Sequence, residues 1–382
     1  MRRYLFTPGP VELSEKVKRT LAIDMISHRS REFSSLMERL QSKLKALMDV
    51  DGPVLLFPGS GTSALEALLV NLISKGDKVL SFSCGHFGER FREIASRLGA
   101  DVVTIDKPYG EVFTKDEVTV ALENHESVAA ILITHNETST GAVNPIENIT
   151  RCIPEDGPLV LVDTVSSLGA MPCFPEKWGV DGIASCSQKG LMAPPGIGIV
   201  WLSDRAWKKV YERAICPSYS MDFTLMRTYL EKELPQTPAT PPVSLFFALD
   251  ASLAEVKAEG GFGKRFQERQ LYARALCSVV KECGLELLVK EEYARSPGVT
   301  AICIPDKADA VRSNLRKRGI EIAGGQGSLK NKIIRVGHYT RESISELRYF
   351  IQALREASQE AGIVLKELDL DKVENIFAGG CI

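Results

Sequence analysis

Two polar side chains follow buried strands predicted from the sequence, at positions where they could do chemistry. Asp163 closes the apolar run 159–163, and Lys189 follows the run 182–187. A lysine amine can form a Schiff base with a carbonyl cofactor. An aspartate can keep the nitrogen of a pyridine ring protonated, which strengthens such a cofactor as an electron sink. The pair predicts this chemistry. The alternatives are that Asp163 only orders the loop that follows it and that Lys189 is an exposed loop lysine.

A glycine-rich turn leads from a predicted strand into a predicted helix at residues 57–66, Phe-Pro-Gly-Ser-Gly-Thr-Ser-Ala-Leu-Glu. The N–H groups and dipole of a helix start favour a phosphate there. The alternative is a tight turn in which Ser60 or Thr62 caps the helix. The letters GSGTSA also fit a dinucleotide fingerprint, which needs an acidic residue at the end of the next strand. That strand ends in Ser83-Cys84, which argues against a NAD-linked oxidoreductase.

Seven short apolar runs, separated by segments of helical period, supply the elements that position these residues. They lie at 54–57, 78–83, 101–105, 129–134, 159–163, 182–187 and 196–202. Continuous apolar strands between helices are typical of a mostly parallel sheet covered on both faces. The sequence therefore predicts an α/β fold with Asp163 and Lys189 at one edge of the sheet.

The pattern changes after about residue 205, where two helical stretches flank a proline-rich connection at 235–243. The second stretch starts at Ser244 and is broken at Gly260-Gly261. Predicted strands follow at 298–304, 319–324 and 332–337, and a last helix at about 341–361. A chain of 382 residues suits two domains. We predict an N-terminal arm (1–15), a large domain (16–245) and a small C-terminal α+β domain (246–382).

Composition argues against several classes of protein. Lys and Arg total 47 and Asp and Glu total 49, so no basic excess indicates nucleic acid. No apolar run is long enough to span a membrane, and the N-terminus lacks the apolar core of a signal peptide. The nine cysteines are scattered without a CxxC pair, which favours reduced thiols in the cytoplasm. The five histidines show no ligand spacing, so no metal is expected.

The motifs TPGP, GSGTSALE, THNETSTG, VDTVSSLG, SQKG and RVG occur in this order from Thr7 to Gly337. As a set they resemble the class V aminotransferases, which are fold-type I pyridoxal-phosphate enzymes, and most closely the alanine–glyoxylate and serine–pyruvate branch. The resemblance implies a large domain with a mostly parallel seven-stranded sheet, pyridoxal 5'-phosphate as cofactor, and ping-pong transfer of an amino group from alanine or serine to glyoxylate or pyruvate.

The resemblance also implies roles for single residues. Lys189 would carry the cofactor and move the substrate α-proton, and Asp163 would pair with the pyridine nitrogen. The cofactor-binding set is Ser60, Gly61, Thr62, Phe87, Thr138, Asp163, Val165, Gln188, Lys189 and Thr240. In this set Phe87 stacks on the ring, Val165 packs against it, and Thr138 bonds the phenolic oxygen. Thr240 is expected to come from the partner subunit of a homodimer, and Arg335 and Gly9 to contact the substrate.

Two positions depart from the family pattern. Phe87 stands where many relatives carry Trp or Tyr, which keeps stacking but loses a polar edge. Thr237 stands where a tyrosine often contacts the phosphate, which puts that contact in doubt. A cysteine desulfurase would need a nucleophilic cysteine in the loop at 324–332, which has none.

Other class V reactions stay open. Transamination of aspartate, phosphoserine or 2-aminoethylphosphonate would require a second cation near the substrate side chain. Arg29, Arg31 and Arg90 are candidates for that cation, and His28 lies in the same segment as the first two. The sequence does not show whether any of them points into the site.

Overall fold

The computed structural model describes residues 3–213, 215–340 and 343–366. The strands of this part of the chain are β1 (Tyr4–Phe6), β2 (Val54–Gly59), β3 (Lys78–Ser83), β4 (Asp101–Asp106), β5 (Val128–Thr134), β6 (Asn136–Glu137), β7 (Ala142–Val143), β8 (Leu159–Asp163), β9 (Gly182–Cys186), β10 (Gly196–Leu202), β11 (Glu286–Leu287), β12 (Val299–Cys303), β13 (Ile320–Gly324) and β14 (Ile333–Gly337). Its helices are α1 (Glu15–Thr20), α2 (Arg31–Met48), α3 (Gly61–Leu72), α4 (His86–Arg97), α5 (Lys115–Glu123), α6 (Ile146–Thr150), α7 (Asp204–Glu212), α8 (Phe223–Leu230), α9 (Val243–Ala258), α10 (Gly261–Glu282), α11 (Ala308–Lys317) and α12 (Ile344–Glu360).

The larger sheet has seven strands in the order β2-β10-β9-β8-β5-β3-β4. The strands from β9 to β4 pair in parallel, whereas β10 is antiparallel to both β9 and β2. Each strand overlaps one of the apolar runs, so the predicted mostly parallel seven-stranded sheet is confirmed. Because β10 runs opposite to both neighbours, β2 runs in the same direction as β9. The carboxyl ends of β2 and of the parallel strands therefore lie at one edge.

Burial on both faces explains why these strands are continuous apolar runs. Every residue of β8 and of β9 is buried. On α3 an apolar stripe that includes Leu65, Leu68 and Leu72 packs into the same core as Phe246 of α9. Each such side chain contributes roughly 1.5–3 kcal/mol on burial. The core therefore fixes the ends of the strands, and these ends fix where the following loops begin.

The smaller sheet has five strands in the order β1-β13-β14-β12-β11. The N-terminal strand β1 pairs in parallel with β13, and the remaining pairs are antiparallel. Helices α10, α11 and α12 contribute Leu276, Leu315 and Phe350 to a separate core with these strands. The predicted small C-terminal α+β architecture is confirmed, with the addition of β1 from the N-terminal segment.

The helical stretches predicted after residue 205 are each two helices. Residues 206–232 form α7 and α8, and the long stretch from residue 244 forms α9 and α10. The break falls at Gly260, whose φ of 112° favours glycine. The domain limits stay predictions; the one between residues 245 and 246 falls inside α9. Among the described residues, no helix is both long and apolar enough to cross a membrane.

Candidate active site

Loops from four neighbouring strands meet at the carboxyl edge of the larger sheet. In the sheet β9, β8, β5 and β3 are adjacent. Asp163 is the last residue of β8, and the segments after β9, β5 and β3 carry Lys189, Thr138 and Phe87. Ligands of open α/β sheets bind in the crevice outside such strand ends. The structure thus brings together the side chains that the sequence placed after separate strands.

Asp163 ends β8 and is only 3% exposed. Its Oδ1 accepts a hydrogen bond of 2.8 Å from the backbone N–H of Val165. Burial raises the pKa of Asp163 to about 7, against the lowering effect of that hydrogen bond, and the nearby charge of Glu137 raises it further. A carboxylate in such a place is stabilised by a cation, and a protonated pyridine nitrogen would be one.

Lys189 lies in the turn after β9 and is partly buried. Burial lowers the pKa of its amine to about 8, and the charge of Arg335 lowers it further. A deprotonated amine is the form that attacks a carbonyl group. Gly9 packs against the stem of this lysine, because a Cβ atom on Gly9 would lie 2.5 Å from Cδ and 2.6 Å from Cε of Lys189. Gly9 therefore lies beside Lys189, and its contact with the substrate stays a prediction.

The glycine-rich turn after β2 begins α3 at this edge. Ser60 caps the helix reciprocally with Ser63: the Ser60 Oγ accepts from the Ser63 N–H at 3.1 Å, and the Ser63 Oγ accepts from the Ser60 N–H at 3.2 Å. The Ser60 hydroxyl therefore serves the helix start itself. A Cβ atom on Gly61 would lie 2.6 Å from Cγ2 of Val165. The glycine-rich turn and the loop after Asp163 are thus in direct contact.

Polar side chains surround this turn. Arg90 donates from Nη1 to the Thr62 Oγ1 at 3.4 Å, and its guanidinium lies 5.0 Å from the centre of the Phe87 ring. The Oε1 of Gln188 is buried without a hydrogen-bond partner in the described chain. A buried amide oxygen without a hydrogen-bond partner costs free energy, unless a ligand or a water molecule donates a hydrogen bond to it. Arg90 therefore lies beside the predicted phosphate turn, together with Thr62 and Phe87.

Phe87 is held by a residue that sequence reasoning missed. Glu137, in the short strand β6, is fully buried and accepts a hydrogen bond of 3.1 Å from the Phe87 backbone N–H. The sequence offered one signal, a glutamate between the apolar runs 129–134 and 159–163. A carboxylate buried there needs several hydrogen-bond donors. Burial raises the pKa of Glu137, while hydrogen bonds from Ser139 lower it.

Arg335 reaches this site from the smaller sheet. It lies in β14, is 7% exposed, and donates from Nε to the Gly324 carbonyl at 2.8 Å and from Nη1 to the Thr138 carbonyl at 3.0 Å. Burial lowers its pKa to about 10, and the charge of Glu137 opposes that effect. Arg335 stays a cation at neutral pH, so it can bind a carboxylate in a bidentate manner.

The remaining predicted residues lie elsewhere in the single chain. Thr240 is exposed in the connection before α9, and Thr237 donates its hydroxyl to the Ala239 carbonyl at 2.8 Å. Arg29 donates to the Thr237 carbonyl at 2.7 Å and to the Pro238 carbonyl at 3.2 Å, so it orders the segment that carries Thr240. Arg31 is exposed at the start of α2 and His28 is partly exposed. Among the described residues, no three His, Cys, Asp or Glu side chains form a metal-binding group.

These contacts fit pyridoxal phosphate on three counts. The Asp163 carboxylate needs a cation, the Lys189 amine is deprotonated at mildly alkaline pH, and the start of α3 presents backbone N–H groups. They match, in this order, the pyridine nitrogen, the aldehyde and the phosphate of the cofactor. The fold and this edge define a fold-type I pyridoxal-phosphate enzyme.

Comparison with known proteins gives the family. The sequence profile described as "Aminotransferase class-V" matches residues 13–349. The "Soluble hydrogenase 42 kDa subunit" of Anabaena cylindrica is 38% identical over 363 residues, which cover 94% of either chain. Alanine–glyoxylate aminotransferase of Oryctolagus cuniculus is 35% identical, covering 94% of this chain and 93% of that protein. The crystal structure of alanine–glyoxylate aminotransferase from Nostoc sp. superimposes with a TM-score of 0.89 at 36% identity, covering 94% and 95% of the two chains.

The chain belongs to the class V aminotransferase family. It is a pyridoxal-phosphate-dependent aminotransferase with the fold expected from its motifs. An amino acid and a 2-oxo acid are the two substrates that such an enzyme needs.

Proposed function

We propose that the protein transfers the amino group of a small amino acid, alanine or serine, to glyoxylate or pyruvate by a ping-pong mechanism. The observation that carries this proposal is that Arg335, a buried cation, lies beside Lys189 and Asp163 at the carboxyl edge of the larger sheet. Similarity to proteins named alanine–glyoxylate aminotransferase supports the substrate choice.

Each residue has one task in this mechanism. When bound, the cofactor withdraws electrons from the α-carbon of the amino donor and stores the amino group between the two half-reactions. Arg335 binds the donor α-carboxylate, Asp163 keeps the ring nitrogen protonated, and Lys189 holds the cofactor at rest. The Lys189 amine would act as the general base that takes the α-proton from the donor, and its conjugate acid would supply the proton in the second part of the transfer. Thr138, Phe87, Val165 and the turn at 60–62 hold the ring and phosphate.

The contacts of three arginines favour a donor without a second acidic group. Arg90 is engaged with Thr62 and the Phe87 ring. Arg29 binds carbonyl groups of the connection at 236–238, and Arg31 is exposed. A second carboxylate or a phosphonate on the donor would need one of these cations. Aspartate, phosphoserine and 2-aminoethylphosphonate therefore serve as comparison donors.

We further propose a homodimer in which Thr240 of the partner subunit contacts the phosphate. The exposure of Thr240 and the hydrogen bonds from Arg29 to the nearby Thr237 and Pro238 carbonyl groups support this assignment. Full activity of a monomer at high dilution would refute it. A cytoplasmic location is also proposed, and the free cysteines of the described chain accord with it.

The first test is the visible absorption of the protein after incubation with pyridoxal phosphate. A band from the lysine-bound cofactor should appear, bleach with L-alanine or L-serine, and return with glyoxylate or pyruvate. Lys189→Ala should lose both band and turnover, while the exposed Lys177→Ala control keeps them. Bleaching by aspartate, phosphoserine or 2-aminoethylphosphonate alone would replace the proposed donor. A wild-type protein without the band would overturn the assignment of Lys189.

A further inference from the structure

The start of α4, which carries Phe87, has no capping side chain of its own. Its N-cap residue is Gly85, which offers no side-chain hydrogen bond. The first N–H groups of a helix have no partners within the helix. Here they are satisfied from β6 and the turn after it: Ser139 Oγ accepts from the His86 N–H at 3.0 Å, and Glu137 Oε2 accepts from the Phe87 N–H at 3.1 Å and the Gly88 N–H at 3.0 Å.

The Glu137 carboxylate is surrounded by donors. Its other oxygen, Oε1, accepts from the Ser139 N–H at 2.9 Å and from the Ser139 hydroxyl at 2.5 Å. Both oxygens thus act as acceptors, which is the pattern of an ionised carboxylate. The two oxygens therefore tie α4 to the same turn that carries Thr138.

Gly85 makes this arrangement possible. A Cβ atom on Gly85 would overlap Cγ and Cδ of Glu137 as well as the Ser139 hydroxyl. The absence of a side chain at residue 85 therefore removes the local cap of α4 and leaves room for the buried carboxylate of Glu137. Such a cap fixes the helix start against the strand end of β5, and an ordinary Ser or Asp cap on residue 85 would not.

We propose that Glu137 is a positioning residue of the aminotransferase site, acting through Phe87. Its carboxylate fixes the first turn of α4, so that the Phe87 ring is held in place to stack on the cofactor. This inference rests on the proposed function, because it assigns the purpose of Phe87 to cofactor binding. Glu137 itself touches neither substrate nor cofactor in this scheme.

The effect of the Glu137 charge on Asp163 has the opposite sign to the effect of the cap. That charge raises the pKa of Asp163, so neutralising Glu137 would favour the ionised form of Asp163. An ionised Asp163 holds a protonated ring nitrogen more strongly. Weaker cofactor binding after neutralisation of Glu137 would therefore not be explained by the change at Asp163, and the coupling to Phe87 is the measurement that identifies the cap.

The experiment uses the full-length protein reconstituted with pyridoxal phosphate. Glu137→Gln keeps the size of the side chain but places an NH₂ group against donors. We expect the Kd of the cofactor to rise about tenfold, as the loss of one charged hydrogen-bond set implies. The visible circular dichroism of the lysine-bound cofactor should fall, and the Phe87 and Gly88 amides should exchange faster. Glu93→Gln, which neutralises an exposed carboxylate on the same helix, should change none of these.

A double-mutant cycle with Phe87→Ala separates positioning from general destabilisation. If Glu137 acts through Phe87, Glu137→Gln should weaken cofactor binding by less than about twofold in the Phe87→Ala background. An equal loss in both backgrounds would overturn the inference, as would a Kd and a circular dichroism band unchanged in the single variant. In either of these cases a transaminating wild type would leave the proposed function standing. A wild type that forms no lysine-bound band would overturn both proposals.

Discussion

The close approach of Gly61 to Val165 predicts the direction in which a substitution of Gly61 changes the stability of the protein. In Gly61→Ala the new Cβ would lie 2.6 Å from Cγ2 and 2.9 Å from Cγ1 of Val165. Overpacking of this kind costs roughly 1–3 kcal/mol, and replacing glycine in a helix returns about 0.5–1 kcal/mol. We expect a net loss of up to about 2.5 kcal/mol, centred near about 1 kcal/mol, and weaker cofactor binding, because Val165 lies beside Asp163.

Gly263 provides a matched control. It also lies in the first turn of a helix, α10, but a Cβ atom there meets nothing within 4 Å. Gly263→Ala should therefore stabilise the protein by about 0.5–1 kcal/mol. Urea unfolding of both variants and titration with pyridoxal phosphate measure the two effects. Adding Val165→Ala to Gly61→Ala should relieve the overlap, with a coupling of about 0.5–3 kcal/mol. Equal stability of the two alanine variants would refute the reasoning.

Three further predictions concern the lysine and its neighbours. Asp163→Ala should raise the Kd of the cofactor at least about tenfold and slow proton transfer from the donor; a normal Kd and rate would exclude the pairing role. Gly9→Ala should slow formation of the lysine-bound band, because its Cβ would overlap the stem of Lys189; an unchanged rate in stopped-flow absorption would contradict this. Since burial lowers the pKa of Lys189 to about 8, the amine is protonated and unreactive below that pH. The rate of cofactor incorporation by the cofactor-free protein should rise with pH and level off above about pH 8, and a rise that continues to pH 10 would show an ordinary lysine.

The sequence predicted the larger sheet because its strands are buried on both faces. Such strands are short continuous apolar runs, and the run 159–163 stands out without knowledge of its neighbours. Parallel pairing then places their carboxyl ends at one edge, so residues that follow separate runs become neighbours. This is why Asp163 and Lys189 could be paired before their contacts were known.

Contacts that depend on packing between distant segments could not be predicted in this way. The capping of α4 by Glu137 joins residues about 50 positions apart, and no local spacing marks it. Arg90 was a candidate for reading the substrate side chain, yet its contacts are with Thr62 and Phe87. The role of Thr237 was open for a related reason, since its hydroxyl bonds within its own turn. Local sequence patterns predict where helices and strands end, whereas tertiary packing determines the hydrogen-bond partner of a buried polar group.

The titratable groups of the site share one property. Burial acts against the charged form of Asp163, of Lys189 and of Arg335 alike, raising the pKa of the acid and lowering those of the two bases. Their own partners only partly compensate for this cost, because Asp163 is bound by one backbone N–H and Arg335 by two carbonyl oxygens. A protonated ring nitrogen and a substrate carboxylate would supply the missing counter-charges. The ligands and the protein should therefore stabilise each other, and the cofactor-bound protein should unfold at a higher temperature than the free chain. In the cofactor-free protein, contacts that involve no change of charge, such as Gly9 against the stem of Lys189 and Gly61 against Val165, would still order this edge.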